Sequence, residues 1–189
     1  MKLRTKMLIF VPMVTEWIVT EIDGKIASIS ANYRHFAEVA AKVAQLPPEE
    51  IGSISTRKVS TDELIAMAET VSWKNFRLFG TPFQLGVWET LYGVEPRLYS
   101  YSELAALCGN PLGVRSVAHA VAINPIVYII PCHLIVPKES MDKARYIRAT
   151  AESTLFKGSD LYLLDSIDVG EYAYGPEMKR EFIKRHLKR

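Results

Sequence analysis

The chain has 189 residues, 49% hydrophobic and 23% charged, with a formal net charge of +2. It is long enough for one domain or two small ones around a real core, and its composition is that of an ordinary soluble globular protein. The composition excludes a membrane-spanning helix, since the apolar runs are too short, and the near-neutral charge announces no nucleic-acid partner.

The N-terminal stretch MKLRTKMLIFVPMVTEW has a basic start and a short apolar patch. Pro12 breaks that patch, and it runs into Thr15-Glu16 without a small-residue cleavage site, so MLIFVPMV reads as a first strand rather than a signal peptide. With Cys108 and Cys132 as the only cysteines, a cytoplasmic protein with reduced thiols is expected. EWIVTEIDGKIASISA then reads as two strands turning at Asp23-Gly24, a strong hairpin signal. NYRHFAEVAAKVAQL has helical spacing at Phe36, Val39, Ala40 and Val43 and stops at Pro47-Pro48. STDELIAMAETV opens with Ser60-Thr61-Asp62-Glu63, a capped helix start. Residues 1–78 hold no cluster of ligands or nucleophiles and read as a small structural α/β domain of a sheet plus helices.

From Phe79 the texture becomes mainly helical. TPFQLGVWETLYGV places Phe83, Val87, Trp88 and Leu91 on one helical face, with Thr81 as N-cap and Pro82 in the first turn. SYSELAALCG is a short helix capped by Ser100 and stopped by Gly109. NPLGVRSVAHAVAINP runs helically through Val114, Val117, Ala118 and Val121 and ends before Asn124-Pro125. Two short helices joined by a Gly-Asn-Pro turn suggest a helix-turn-helix, and small residues such as Ser116, Ala118 and Ala122 allow close approach to another surface. The pattern alone suits a packed helix pair as well as a DNA reader. A mainly α, winged-helix-like domain is expected over residues 79–168, followed by a basic tail or helix over 169–189. The run MKREFIKRHLKR in that tail reads as the solvated face of a final helix.

Cys132-His133 follows the apolar run Ile126–Ile130, read as a strand, and Pro131. A thiolate is a nucleophile, and a neighbouring base, directly or through one water, can take the thiol proton when substrate is present. Zinc does not fit: there is no Cys-x-x-Cys pair, and histidines at 35, 119, 133 and 186 lack ligand spacing.

Together, GTPFQLGVWETLYGV and YSYSELAALCGNPLGVRSVAHAVAINPIVYIIPCHLIV closely resemble the O6-alkylguanine-DNA alkyltransferases, also called methylated-DNA–protein-cysteine methyltransferases. The hallmark of that family is Pro-Cys-His-Arg-Val after an Asn-Pro and a helix-turn-helix. The resemblance implies that Cys132 accepts an alkyl group from guanine O6 and that His133 relays its proton through water to a carboxylate. Tyr101 would help rotate the target nucleotide and approach the flipped base, Asn124 would be the hinge, and Arg115 would fill the gap left in the duplex. Ser116, His119 and Asn110 are further expected DNA contacts, and Tyr146, Val127 and Pro131 are expected around the alkyl pocket. The partner implied is double-stranded DNA carrying O6-alkylguanine, met through the minor groove, and O4-alkylthymine is a poorer substrate. No cofactor, metal or membrane is expected, and the protein is expected to act as a monomer.

Three departures from the family pattern stand out. Leu134 replaces the arginine after Pro-Cys-His. The following PKESMDKARYIRATAE has no glycine where the family loop is glycine-rich before its pocket tyrosine, which counting places at Tyr146. The family's glutamate ends a Lys-x-x-Leu-Leu-x-x-Glu pattern; counting from Tyr146 puts Asp160 there, with Asp165 and Glu152 as alternatives. Two other readings remain: an alkyltransferase-like protein that binds alkylated DNA without reacting, and a helix-turn-helix transcriptional regulator.

Overall fold

A computed structural model describes residues 14–31, 34–47, 50, 52–152 and 164–188. The strand expected over MLIFVPMV lies almost wholly outside the described residues, as does Asp160. Strands β1 (Glu16–Ile22) and β2 (Lys25–Ser30) form the expected antiparallel hairpin. Asp23 at φ 52° and Gly24 at φ 73° give its turn the two left-handed residues that match strand twist. Strand β3 (Ile54–Ser60) pairs with the other edge of β1, so the sheet order is β2-β1-β3. β3 left no alternating signal because only Val59 of ISTRKVS is buried. Helix α1 (Arg34–Val43) buries Val39 and Val43 against Ile22 and Ala27. Helix α2 (Thr61–Thr70) begins with the expected capping box, Ser60 and Glu63 bonding each other's backbone N–H.

The remainder is mostly helical, as expected. Helix α3 (Pro82–Tyr92) starts at a Thr81 cap. Helix α4 (Tyr101–Leu107) starts at a Ser100 cap completed by Glu103, and Gly109 at φ 70° ends it. Helix α5 (Val114–Ala122) follows after a short turn, so α4 and α5 form the helix pair read from the sequence. Two-residue strands β4 (Tyr99–Ser100) and β5 (Ile135–Val136) pair in parallel. Helix α6 (Lys138–Glu152) and C-terminal helix α7 (Gly175–Leu187) complete the described chain. Among the described residues no helix is long and apolar enough to cross a membrane.

One apolar cluster unites Trp17, Val19 and Ile29 of the sheet with Trp88 and Leu91 of α3, Val117 of α5, Ile126–Ile130 and Phe182 of α7. Two readings from the sequence need correction here. Phe83 is 38% exposed, while Val87, Trp88 and Leu91 take the buried face of α3. Residues 126–130 are not a strand: Ile126 makes a single bridge to Ile29, and 127–129 form a turn in which Tyr128 has φ 67°. A fully buried apolar run reports burial without reporting conformation.

The indole Nε1 of Trp88 donates to the Ala120 carbonyl at 2.8 Å, tying α5 to α3 inside the core. Trp88→Phe leaves that carbonyl without its partner, and urea denaturation should show a loss of about 1–3 kcal/mol.

Candidate active site

Asn124, just beyond α5, shapes the turn that carries the cysteine. Its amide donates to the carbonyls of Ile126 at 3.2 Å and Ile130 at 2.9 Å, while its oxygen accepts from Ile126 N–H at 3.0 Å. The opposite side of the turn is held by β2: Ile29 N–H donates to Pro125 O at 2.8 Å, and Val127 N–H to Ile29 O at 3.3 Å. Pro131 then leads into a single 3₁₀ turn, Cys132–Leu134. Leu134 is fully buried, so no charged arginine equivalent occupies this place. β5 follows at once, and its pairing with β4 brings Tyr101, the first residue of α4, next to the same region.

Cys132 is half-buried. Burial pushes its thiol above the ordinary range, against the opposing pull of hydrogen bonds from Asn124 and Tyr172 and the charge of Lys179. Three phenols share this environment. Tyr101, Tyr172 and Tyr174 are all raised, first by burial and then also by the negative charge a Cys132 thiolate would bring. Each therefore remains protonated and able to donate. The buried Tyr172 hydroxyl has no nitrogen or oxygen partner among the described residues and interacts with the thiol. Lys179 is 1% exposed, donates from Nζ to Ile135 O at 2.8 Å, and lies 6.0 Å from the Tyr172 ring centroid. Burial lowers its pKa to about 8, opposed by the nearby Cys132 and Asp168.

His133 is fully buried. Its ring stacks on Tyr128 at 5.2 Å and 6°, lies 5.6 Å from Phe182, and places Nε2 3.3 Å from Nδ1 of His186. Both Phe182 and His186 belong to α7, which is anchored to the sheet by Phe182 on Trp17 and to α2 by an Arg185–Asp62 ion pair at 2.7 Å.

On the helix pair, Arg115, Ser116 and His119 are exposed, while Val117, Ala120 and Val121 face the core. Arg115, Ser116, His119 and Ala120 line a groove of about 340 Å³ with Phe83 and Gln84 of α3. Asn110 has a structural task in the turn: its carbonyl accepts from Gly113 N–H at 2.9 Å, and its side chain fills the space where a Cβ on residue 113 would sit. Val127 and Pro131 are buried in the turn that carries the thiol. Among the described residues no group of three potential ligands could hold a metal ion.

Residues 82–153 match the family model described as the DNA binding domain of 6-O-methylguanine DNA methyltransferase. Over 69 residues the chain is 44% identical to a probable methylated-DNA–protein-cysteine methyltransferase of Acanthamoeba polyphaga mimivirus, covering 35% of this chain and 45% of that one. Over 129 residues it is 29% identical to the constitutive methylated-DNA–protein-cysteine methyltransferase of Bacillus subtilis, covering 66% and 76%. Over residues 82–153 the chain is similar to the DNA binding domain of the O6-methylguanine DNA methyltransferases. It spans less than half the length of the first curated relatives it matches, 45%, 32% and 34%. In fold it is similar to the solved O6-methylguanine-DNA methyltransferase of Pyrococcus kodakaraensis, with a TM-score of 0.52 at 19% identity over 93% of this chain and 94% of that one. The Mycobacterium tuberculosis O6-methylguanine methyltransferase gives a TM-score of 0.51 at 19% identity, over 88% and 82%.

After the cysteine the structure puts other residues at the site than residue counting selects. Tyr146 is 72% exposed on α6. Asp165 is an exposed partner of Lys184 at 3.6 Å, and Glu152 ends α6. The residues found around Cys132 and His133 are instead Tyr172, Lys179 and His186, none of which sequence counting selected. A signal was present. Lys179-x-x-Phe182-Ile183-x-x-His186 keeps the spacing of the family's Lys-x-x-Leu-Leu-x-x-Glu, with histidine last, and Tyr172 stands seven residues before Lys179. The connection through α6 displaces that pattern along the chain, so counting from Cys132 lands short of it.

This electrostatic setting has a measurable consequence. Alkylation of Cys132 by iodoacetamide, followed by peptide mass against pH, should titrate above the roughly 8.5 of an ordinary thiol. Lys179→Met removes a charge that favours the thiolate, so the midpoint should rise further; a downward shift would contradict the assignment.

Proposed function

We propose that the protein repairs DNA directly, moving an alkyl group from O6 of an alkylated guanine to Cys132, once per molecule and without a cofactor. The observation that carries this reading is the half-buried Cys132 thiol, held by Asn124 and Tyr172 and backed by buried His133, behind a helix pair that exposes Arg115. O4-alkylthymine is the poorer substrate, double-stranded DNA is the partner, and one protein molecule suffices.

In this reading the exposed start of α5 enters the minor groove, and the small side chains at Ser116, Ala118 and Ala122 suit that narrow space. Phosphate contacts dominate affinity, so binding weakens with salt and depends little on sequence. The damaged base must leave the stack before a thiol can approach O6 in line, and Arg115 occupies the vacated place. His133 takes the thiol proton as the base docks. The sulfur then bonds to the alkyl carbon while the carbon–O6 bond breaks and its electron pair stays with guanine. A phenol, with Tyr101 nearest the helix pair, donates a proton to the departing purine and regains one from water. The elevated pKa of the free thiol fits this order of events: Cys132 rests neutral and is activated only with substrate present.

Incubation with a duplex containing O6-methylguanine should add one methyl group to the Cys132 peptide by mass, and Cys132→Ser should abolish the gain. Tight binding with no mass change would instead support a non-reacting damage binder, and sequence-specific binding that survives Cys132→Ser a transcriptional regulator. Arg115→Ala should slow transfer from duplex far more than transfer from the free base.

A further inference from the structure

Among the described residues, four of the six exposed large hydrophobic side chains belong to or adjoin helices α3 to α5: Phe83, Leu107, Leu112 and Ile123. Leu112, in the turn that joins α4 to α5, is the most exposed of them at 98%. Surface leucines are ordinary when scattered singly, and at this exposure the side chain adds almost no burial to folding. What distinguishes Leu112 is its mount. Asn110 N–H donates to Ala105 O at 2.9 Å, and Gly113 N–H donates to Asn110 O at 2.9 Å, so the chain is pinned on both sides of Pro111-Leu112. The Asn110 side chain fills the space against Gly113, and Gly109 at φ 70° turns the chain out of α4.

Charge around this turn is sparse. Residues 101–122 contain two formally charged side chains, Glu103 and Arg115. Glu103 is engaged by Arg145 of α6 at 2.9 Å and by Arg97 at 3.7 Å. The leading end of α5 therefore offers one exposed cation, Arg115, and one exposed apolar side chain three positions before it. A surface built to follow phosphates would carry several cations. One cation beside one rigidly held leucine suits the inside of a groove, where base faces and edges are apolar. Both residues fall within the 82–153 span that matches a DNA binding domain.

We propose that Leu112 is a positioning residue of the repair reaction: it enters the minor groove as an apolar wedge at the base step beside the damaged nucleotide. This role rests on the alkyl-transfer reading above. An apolar side chain pressed into a base step partly unstacks it and bends the duplex toward the major groove. That unstacking lowers the remaining cost of turning the alkylated base out, and Arg115 occupies the place it leaves. Covering the leucine with base surface favours the bent complex, and the pinned turn loses little freedom on binding. No proton moves and no bond changes at Leu112, so it acts on extrusion and not on the transfer step.

The test compares the wild type with Leu112→Ser and Leu112→Met in three readouts. These are methyl transfer from duplex O6-methylguanine, methyl transfer from the free base, and the fluorescence of a 2-aminopurine beside the lesion, which brightens as it unstacks. Leu112→Ser should slow duplex transfer about tenfold or more and remove most of the fluorescence rise. Its free-base rate and melting temperature should match the wild type. Leu112→Met, still apolar, should keep both duplex readouts near the wild-type values. Unchanged duplex transfer and fluorescence in Leu112→Ser would overturn the proposal, as would equal slowing on duplex and free base. So would a wild-type dimer that Leu112→Ser dissolves with duplex transfer intact, which would make the leucine a contact between copies. A wild type that brightens 2-aminopurine yet gains no methyl group overturns the transfer reading alone, and the wedge is then decided by the fluorescence of Leu112→Ser.

Discussion

Holding His133 out of water is the constraint around which the rest of the molecule is arranged. A buried imidazole loses its hydration and must be given a polar partner and a close-packed wall. His186 supplies the partner and the Tyr128 ring supplies the wall. To present that ring, Tyr128 adopts a left-handed backbone, at a cost of about 1–2 kcal/mol for a residue with a Cβ. The hydrogen bonds of Asn124 across the turn and of Ile29 along its edge stabilise this conformation. The N-terminal sheet thereby acquires a physical role: β2 braces the turn that carries the thiol.

The same arrangement explains why the site is assembled from distant parts of the chain. The apolar core that contains the cysteine turn reaches from Trp17 in the first strand to Phe182 in the last helix. Its polar lining is sparse: one thiol, an amide, phenols that keep their protons, and one lysine whose charge is weakened by burial. Such a lining stabilises a neutral resting thiol and, in the proposed reaction, offers proton donors to the leaving purine. Electrostatics and packing thus both favour a neutral thiol at Cys132.

Much of this was legible in the sequence because it is local. The Asp23-Gly24 turn, the Ser60, Thr81 and Ser100 caps and the stop at Gly109 each depend on a few neighbouring residues, and each forms where the pattern puts it. Composition fails where burial is uniform, so Ile126–Ile130 reads as a strand although Asn124 bends it into a turn. β3 escaped for the converse reason: one face pairs with β1, yet almost none of its side chains is buried. In the site, the segment from Tyr101 to His133 could be read by spacing because no insertion interrupts it. Beyond His133 the spacing is broken by α6, so the pattern ending in His186 cannot be reached by counting from the cysteine, and tertiary packing sets Tyr172 and Lys179 near the thiol and His186 against His133.

The central claim is that the C-terminal segment, and not the residues counted directly after the cysteine, completes the site. Single-turnover methyl transfer to Cys132 by Tyr172→Phe and Tyr146→Phe, compared with the wild type, tests it most directly. The account predicts that Tyr172→Phe slows transfer by about tenfold or more, equivalent to about 1.4 kcal/mol of barrier, while Tyr146→Phe leaves the rate unchanged. A slow Tyr146→Phe beside a wild-type Tyr172→Phe would contradict it.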